Sequence, residues 1–173
     1  MKNIKSKTIY WTPLDFGKYK WKTLPEIILI QKDANWFFEN YKAKAFNKNK
    51  QLKAEAKEMY IRAQNIKIPK FEGKKMIAEY LPHYYTKKFI KINIIPKAED
   101  KRMLDYDQKY VIDLSYPGQN ILGRHLLISA IKEYVFQDKN IELTKEMCED
   151  FFSDDKRFRL ITIIKKKRLP IKD

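Results

Sequence analysis

The chain has 173 residues, 14% of them aromatic, enough to bury a proper core and too aromatic for a chain that stays unfolded. Its 37 basic residues against 22 acidic ones give a formal net charge of +15, which suits a polyanionic partner. No apolar run nears the roughly eighteen residues of a membrane helix, the start shows no hydrophobic signal core, and the lone Cys148 can close no disulfide within the chain; a soluble protein of a reducing cytoplasm, away from membranes, is the expectation.

In chain order, residues 1–22 read as irregular or extended, with a tight turn at Gly17 after Asp15-Phe16. Thr23, Pro25 and Glu26 form a helix start with a capping box, followed by a short apolar helix from Ile27 to Ile30. Asp33 caps a second helix that lines up Trp36, Phe37, Tyr41 and Ala45. The clearest helix carries Leu52, Ala56, Met59, Tyr60 and Ala63 on one stripe. Its other face holds Lys50, Lys53, Lys57 and Arg62, partly offset by Glu55 and Glu58, and Pro69 bars continuation. Met76–Leu81 and Phe89–Ile95 read as strands joined by a hairpin loop over residues 82–86, and Tyr110–Leu114 as a third. Leu122–Phe136 is helical by its apolar spacing, and Thr144 caps a last helix presenting Met147, Cys148, Phe151 and Phe152. Phe158–Ile164 reads as a closing strand.

The expected fold is therefore α+β: a small antiparallel sheet with four to five helices, and an N-terminal helical module docked on it. A boundary near residues 46–50 separates residues 1–46, a module too small to stand comfortably alone, from an α+β body over 47–173 with a basic tail.

The charge is uneven. Residues 1–75 hold 18 basic and 7 acidic groups, residues 76–157 hold 13 and 14, and residues 158–173 hold 6 and 1. A Lys-, Asn- and Ile-rich composition of the kind AT-rich genomes produce would raise lysine evenly. Two basic ends around a neutral middle instead suit phosphate neutralisation. Within the first end, Lys18-Tyr19-Lys20-Trp21-Lys22 alternates cations with aromatics. In an extended segment the lysines would share one face and the rings the other, tracking phosphates while a ring stacks on an unpaired base; equally, the rings could be the core face of a strand with the lysines solvated. The tail run Lys165-Lys166-Lys167-Arg168 reads either as a phosphate-binding arm or as a solubilising end.

Residues 14–42 carry a resemblance. Phe16-Gly17-Lys18-Tyr19-Lys20, then Thr23, Leu24 and Ile27, then Asp33 with Trp36 and Phe37, resemble the small C-terminal domain of exodeoxyribonuclease X-like proteins. That domain has a Phe-Gly-Lys-Tyr-Lys-Gly turn, a Thr-Leu helix start and an acidic-plus-aromatic second helix. Trp21 departs from it, standing where the family usually has glycine; it either blocks a backbone contact or replaces it with stacking. In such exonucleases the chemistry belongs to a separate domain of metal-binding carboxylates, so the resemblance implies an accessory, DNA-associated module. The remainder has the flavour of small bacteriophage proteins.

Catalytic signals are thin. Asp105, Asp107 and Asp113 could converge as a metal-nuclease cluster, though solvated loop acids are the simpler reading. His83 and His125 have no metal-ligand partners in spacing, Cys148 sits in an apolar pattern, and four glycines make no phosphate-cradling loop. The helix after Tyr116-Pro117-Gly118-Gln119-Asn120 could hold one anion at its start, with Arg124 assisting. The leading expectation is a nucleic-acid-binding accessory protein with no cofactor, metal or catalytic residue. It would meet DNA more readily than RNA, through Lys18, Tyr19, Lys20, Trp21, Lys22, Arg124 and Lys165 to Arg168, with a nuclease or replication protein as a further partner. The alternatives are an inhibitor or adaptor that engages an acidic protein surface, and a small metal-dependent nuclease.

Overall fold

The computed structural model of the protein describes residues 10–82, 89–97, 107–117 and 120–159. It has the expected α+β fold, six α-helices and two small antiparallel sheets among those residues. The hairpin loop after Pro82, His83, the tail run Lys165 to Arg168, and all but the first two residues of the closing strand lie outside them.

Helix α1 (Leu24–Leu29) starts where Thr23 turns the chain. The Glu26 carboxylate reaches back to accept from the Thr23 N–H at 2.9 Å and its hydroxyl at 3.2 Å, and Pro25 occupies a first-turn position whose N–H is not needed. The helix thus begins three residues earlier than its apolar run suggests, and all six residues are buried. Asp33 caps α2 (Ala34–Asn40), accepting from the Trp36 N–H at 3.2 Å. A single turn, α3 (Lys44–Asn47), leads into α4 (Lys50–Arg62), capped by Asn49.

On α4 the apolar stripe is correct for Leu52, Ala56, Met59 and Ala63, but the charged face is not wholly solvated. Glu55 is buried and accepts from the Thr12 N–H (2.9 Å), the Thr12 hydroxyl (2.7 Å) and Gln51 (2.9 Å). Arg62, 3% exposed, donates to Glu58 (2.7 Å), the Phe152 carbonyl (2.8 Å) and Asp155, with its guanidinium over the Phe158 ring. Both charges are tolerated because each is hydrogen-bonded, Arg62 to two carboxylates.

Strands β1 (Ile66–Lys67), β2 (Met76–Pro82), β3 (Phe89–Pro96), β4 (Asp107–Lys109) and β5 (Val111–Ile112) make two sheets. β2 is central between β3 and β4, in the register Tyr80↔Ile92 and Tyr80↔Asp107. β5 pairs instead with β1, Ile66↔Ile112, and Phe158 bridges to Ile66. The third strand expected over Tyr110–Leu114 is therefore only the two-residue β5, an unexpected β4 precedes it, and the chain changes sheets at Tyr110. Tyr80 stitches the change: its buried phenol donates to the Val111 carbonyl (3.1 Å) and accepts from the Asp113 N–H (2.8 Å).

The helix expected over Leu122–Phe136 is α5 (Ile121–Ala130) running into a π-helical turn over Ile131–Val135, where the Phe136 N–H reaches the Ile131 carbonyl at 3.0 Å. The widened turn keeps Ile131 and Val135 buried. α6 (Lys145–Ser153), capped by Thr144, buries Cys148, Phe151 and Phe152 against α1. One hydrophobic core runs from Trp11 to Phe158. The N-terminal helices contribute Leu14, Leu24, Ile27 and Phe37 to it, and the Trp11 indole N–H crosses to Ser153 Oγ at 3.0 Å.

Candidate nucleic-acid interface

Residues 14–22 form a closed turn rather than an extended segment. The Leu14 N–H donates to the Lys22 carbonyl (2.9 Å) and the Trp21 N–H to the Leu14 carbonyl (2.7 Å). Inside, Lys20 N–H reaches Gly17 O (3.3 Å) and Lys22 N–H reaches Tyr19 O (3.0 Å). Two residues adopt the left-handed backbone region, Gly17 (φ +70°) and Trp21 (φ +70°). Gly17 does so at no steric cost; for Trp21 the conformation is strained.

This winding corrects the expected alternation of faces. Tyr19 turns inward, its hydroxyl donating to Asp33 Oδ2 at 2.6 Å and its ring meeting Trp36 edge-on with centroids 5.0 Å apart. Trp21 turns outward and is 70% exposed, with Lys20 Nζ 5.0 Å from its ring centroid. The rings thus divide their roles: one anchors the turn and the other faces solvent.

Asp33 is the anchor point. Besides capping α2 and holding Tyr19, it accepts from Lys18 Nζ at 2.7 Å and pairs with Arg124 on α5. Burial pushes the Asp33 carboxyl up, but the bonds from Lys18, Tyr19 and the Trp36 N–H outweigh it and hold it below its usual value. Lys18 is correspondingly raised by its bond to Asp33, and Tyr19 is raised chiefly by burial. Lys22 pairs with Glu26 at 3.3 Å. Of the three lysines of the motif, Lys20 makes no ion pair among the described residues. Arg124, the expected helper of an anion at the start of α5, is engaged elsewhere. Asn120 caps that helix by accepting from the Gly123 N–H at 3.0 Å, and Arg124 turns to Asp33.

No protein-family model, curated protein or solved structure matches this chain.

The other sequence candidates are dispersed. Asp105 lies outside the described residues, and Asp107 is exposed on β4. Asp113 is buried and occupied by Lys109 (2.8 Å), the Ser115 N–H (2.9 Å) and the Ser115 hydroxyl (2.6 Å). Among the described residues no three His, Cys, Asp or Glu side chains gather as a metal site. His125 is exposed on α5. Cys148 is buried, and burial pushes its thiol up to about 12.

The sequence reading missed a second basic and aromatic cluster, at the sheet change. Tyr110 is 47% exposed, with Lys97 Nζ 5.3 Å and Arg159 Cζ 5.4 Å from its ring centroid. Lys97 foremost, with Arg159 and Lys75, holds the phenol below its ordinary value. Residues 75, 97, 110 and 159 meet only through strand pairing, so no local sequence pattern marks them.

Proposed function

We propose that the protein binds nucleic acid, DNA rather than RNA, as a phage-encoded accessory factor to a nuclease or replication protein in a bacterial cytoplasm. The observation that carries this reading is Trp21: a large aromatic side chain held outward on a strained backbone, with a lysine at its ring. Exposing an indole forgoes its burial, and the left-handed backbone adds roughly 1–2 kcal/mol; such strain recurs at ligand-contacting positions. A solvent-facing ring beside cations is what unpaired bases stack on. The positive φ also supports the likeness to exodeoxyribonuclease X-like C-terminal domains, since it falls where that family usually has glycine.

The test is fluorescence anisotropy with labelled single-stranded and duplex oligonucleotides at about 50 and 200 mM salt. Binding should fall steeply with salt, favour the single strand, and weaken roughly 5- to 150-fold in Trp21→Ala. Absence of binding to either oligonucleotide at low salt overturns the proposal.

A second reading, engagement of an acidic protein, draws on the exposed Ile121 and Leu122 in the first turn of α5, which Arg124 ties to the turn through Asp33. Tight association with one protein, together with indifference to oligonucleotides, would favour it.

A further inference from the structure

The cluster around Tyr110 is built differently from the Trp21 turn. Lys75 and Lys97 face each other across the open end of the β2–β3 pair, where the Lys97 N–H donates to the Lys75 carbonyl at 2.8 Å, one step beyond the pair Met76↔Pro96. Arg159 is fixed beside β1 by its N–H to the Asn65 carbonyl at 2.8 Å, next to the bridge between Ile66 and Phe158. Tyr110 stands where the chain leaves one sheet for the other. Four residues from four separate stretches are thus held together by backbone pairing. Among the described residues, Lys75, Lys97 and Arg159 form no ion pair, whereas Lys18, Lys22 and Arg124 at the first site are each committed to a carboxylate. From Arg159 the sequence runs on to Lys165-Lys166-Lys167-Arg168 six residues later.

Three cations without carboxylate partners among the described residues would suit any polyanion. The ring among them narrows the choice. A duplex keeps its base faces stacked inside, and an acidic protein surface has no aromatic faces in regular step with its charges. A single strand offers both, a π-face beside each phosphate.

We propose that Tyr110, Lys75, Lys97 and Arg159 form a second contact site for single-stranded nucleic acid, the phenol ring meeting an unpaired base and the cations its flanking phosphates. This rests on the nucleic-acid reading above and adds that a strand is held at two places, the Trp21 turn and the sheet change. The two sites are chemically unequal: at the first the stacking ring dominates and most cations are committed, and at the second the cations are available.

The experiment uses the full chain and fluorescein-labelled dT20, comparing wild type, Trp21→Ala, Tyr110→Leu, Tyr110→Phe and the triple variant Lys75→Gln, Lys97→Gln, Arg159→Gln. Tyr110→Leu should weaken binding at least about fivefold while Tyr110→Phe, which keeps the ring, stays near wild type. The triple variant should flatten the plot of log affinity against log salt by about 2, at roughly 0.7 for each phosphate of the single strand that is no longer neutralised. Tyr110 is half-exposed, so its variants should melt as wild type does and separate binding from folding. No binding of dT20 by wild type overturns both this inference and the reading beneath it. Weakened binding in Trp21→Ala, with Tyr110→Leu and the triple variant unchanged, overturns this inference alone. Polyglutamate that competes as well as unlabelled dT20 also overturns it, by reducing the cluster to bare charge.

Discussion

Trp21 allows strain and function to be weighed at one position. Its side chain is 70% exposed, so truncation removes little burial, and the contact with Lys20 is a solvent-exposed cation–π pair worth about 0.5 kcal/mol. Trp21→Ala should therefore lower stability by no more than about 0.5 kcal/mol, because alanine keeps the left-handed penalty. Trp21→Gly removes that penalty, roughly 1–2 kcal/mol, and gives back about 0.5–1 kcal/mol through the greater freedom of glycine in the unfolded chain. Taking the mid-points, glycine should thus exceed alanine by about 0.7 kcal/mol, which for a chain of this length is a melting difference of roughly 1–3 °C. Urea denaturation and thermal melting of the three proteins measure it, and both variants should lose the stacking contribution to oligonucleotide binding. An alanine variant as stable as the glycine variant would show that the backbone at this position is not held at φ +70°.

Other perturbations report on the scaffold behind the two proposed sites. Because the folded Asp33 carboxyl lies below its usual value, the stability it adds is present above the unfolded value near 3.8 and is lost as pH falls through the depressed folded value; melting from about pH 6 down to about pH 2.5 should show a steeper acid decline for wild type than for Asp33→Asn. Arg62→Ala should cost about 2–3 kcal/mol in denaturant unfolding, because the Phe152 carbonyl is left without a partner and the packing over Phe158 goes, while Glu58 and Asp155 can return to water. Cys148, buried and with its thiol pushed up to about 12, should resist an aromatic disulfide reagent at about pH 8 in the native protein and react at once in denaturant.

The elements that were legible in the sequence are those set by neighbouring residues. Thr23 with Glu26, Asp33 before Trp36, and Thr144 before α6 are capping signals that act within one turn, and each marks a helix start. Gly17 announces its own backbone conformation. What escaped depends on distant partners. Glu55 lies three residues after Leu52, and Arg62 three after Met59, so both fall along the buried stripe of α4; a pattern that counts only apolar residues assigns them to solvent, and the groups that make their burial tolerable, Thr12 and the Phe152 carbonyl, are far away in sequence. β4 reads Asp-Gln-Lys and has no strand propensity. It exists because β2 offers it a backbone edge and because Gln108 donates to Glu79 at 2.8 Å. The faces of Lys18 to Lys22 went astray because alternation presumes an extended chain, and two left-handed residues wind this one into a turn.

That winding relocates the electrostatic signal. A formal excess of +15 invites reading every lysine run as a phosphate contact, yet folding consumes cations unequally. Lys18 and Arg124 neutralise Asp33, Lys22 neutralises Glu26, Lys109 neutralises Asp113, and Arg62 sits between Glu58 and Asp155. An ammonium already bonded to a carboxylate gains little from a phosphate, because it must first surrender that partner or share it. The alternating lysine motif of residues 18–22 is thus a modest attractor once folded, and on the proposed function its value would lie in presenting Trp21. Lys75, Lys97 and Arg159 are far apart along the chain and look unremarkable in the sequence, yet Lys97 and Arg159 meet at one ring with Lys75 paired across the strands from Lys97, and among the described residues none of the three is matched to a carboxylate. On this reasoning the salt dependence of binding should be governed by the sheet change and base stacking by the N-terminal turn. Neutralising Lys18 and Lys22 together should therefore move the salt slope less than neutralising Lys97 and Arg159 together; an equal or larger effect from the first pair would show that local sequence density, and not pairing in the fold, decides which cations meet phosphate.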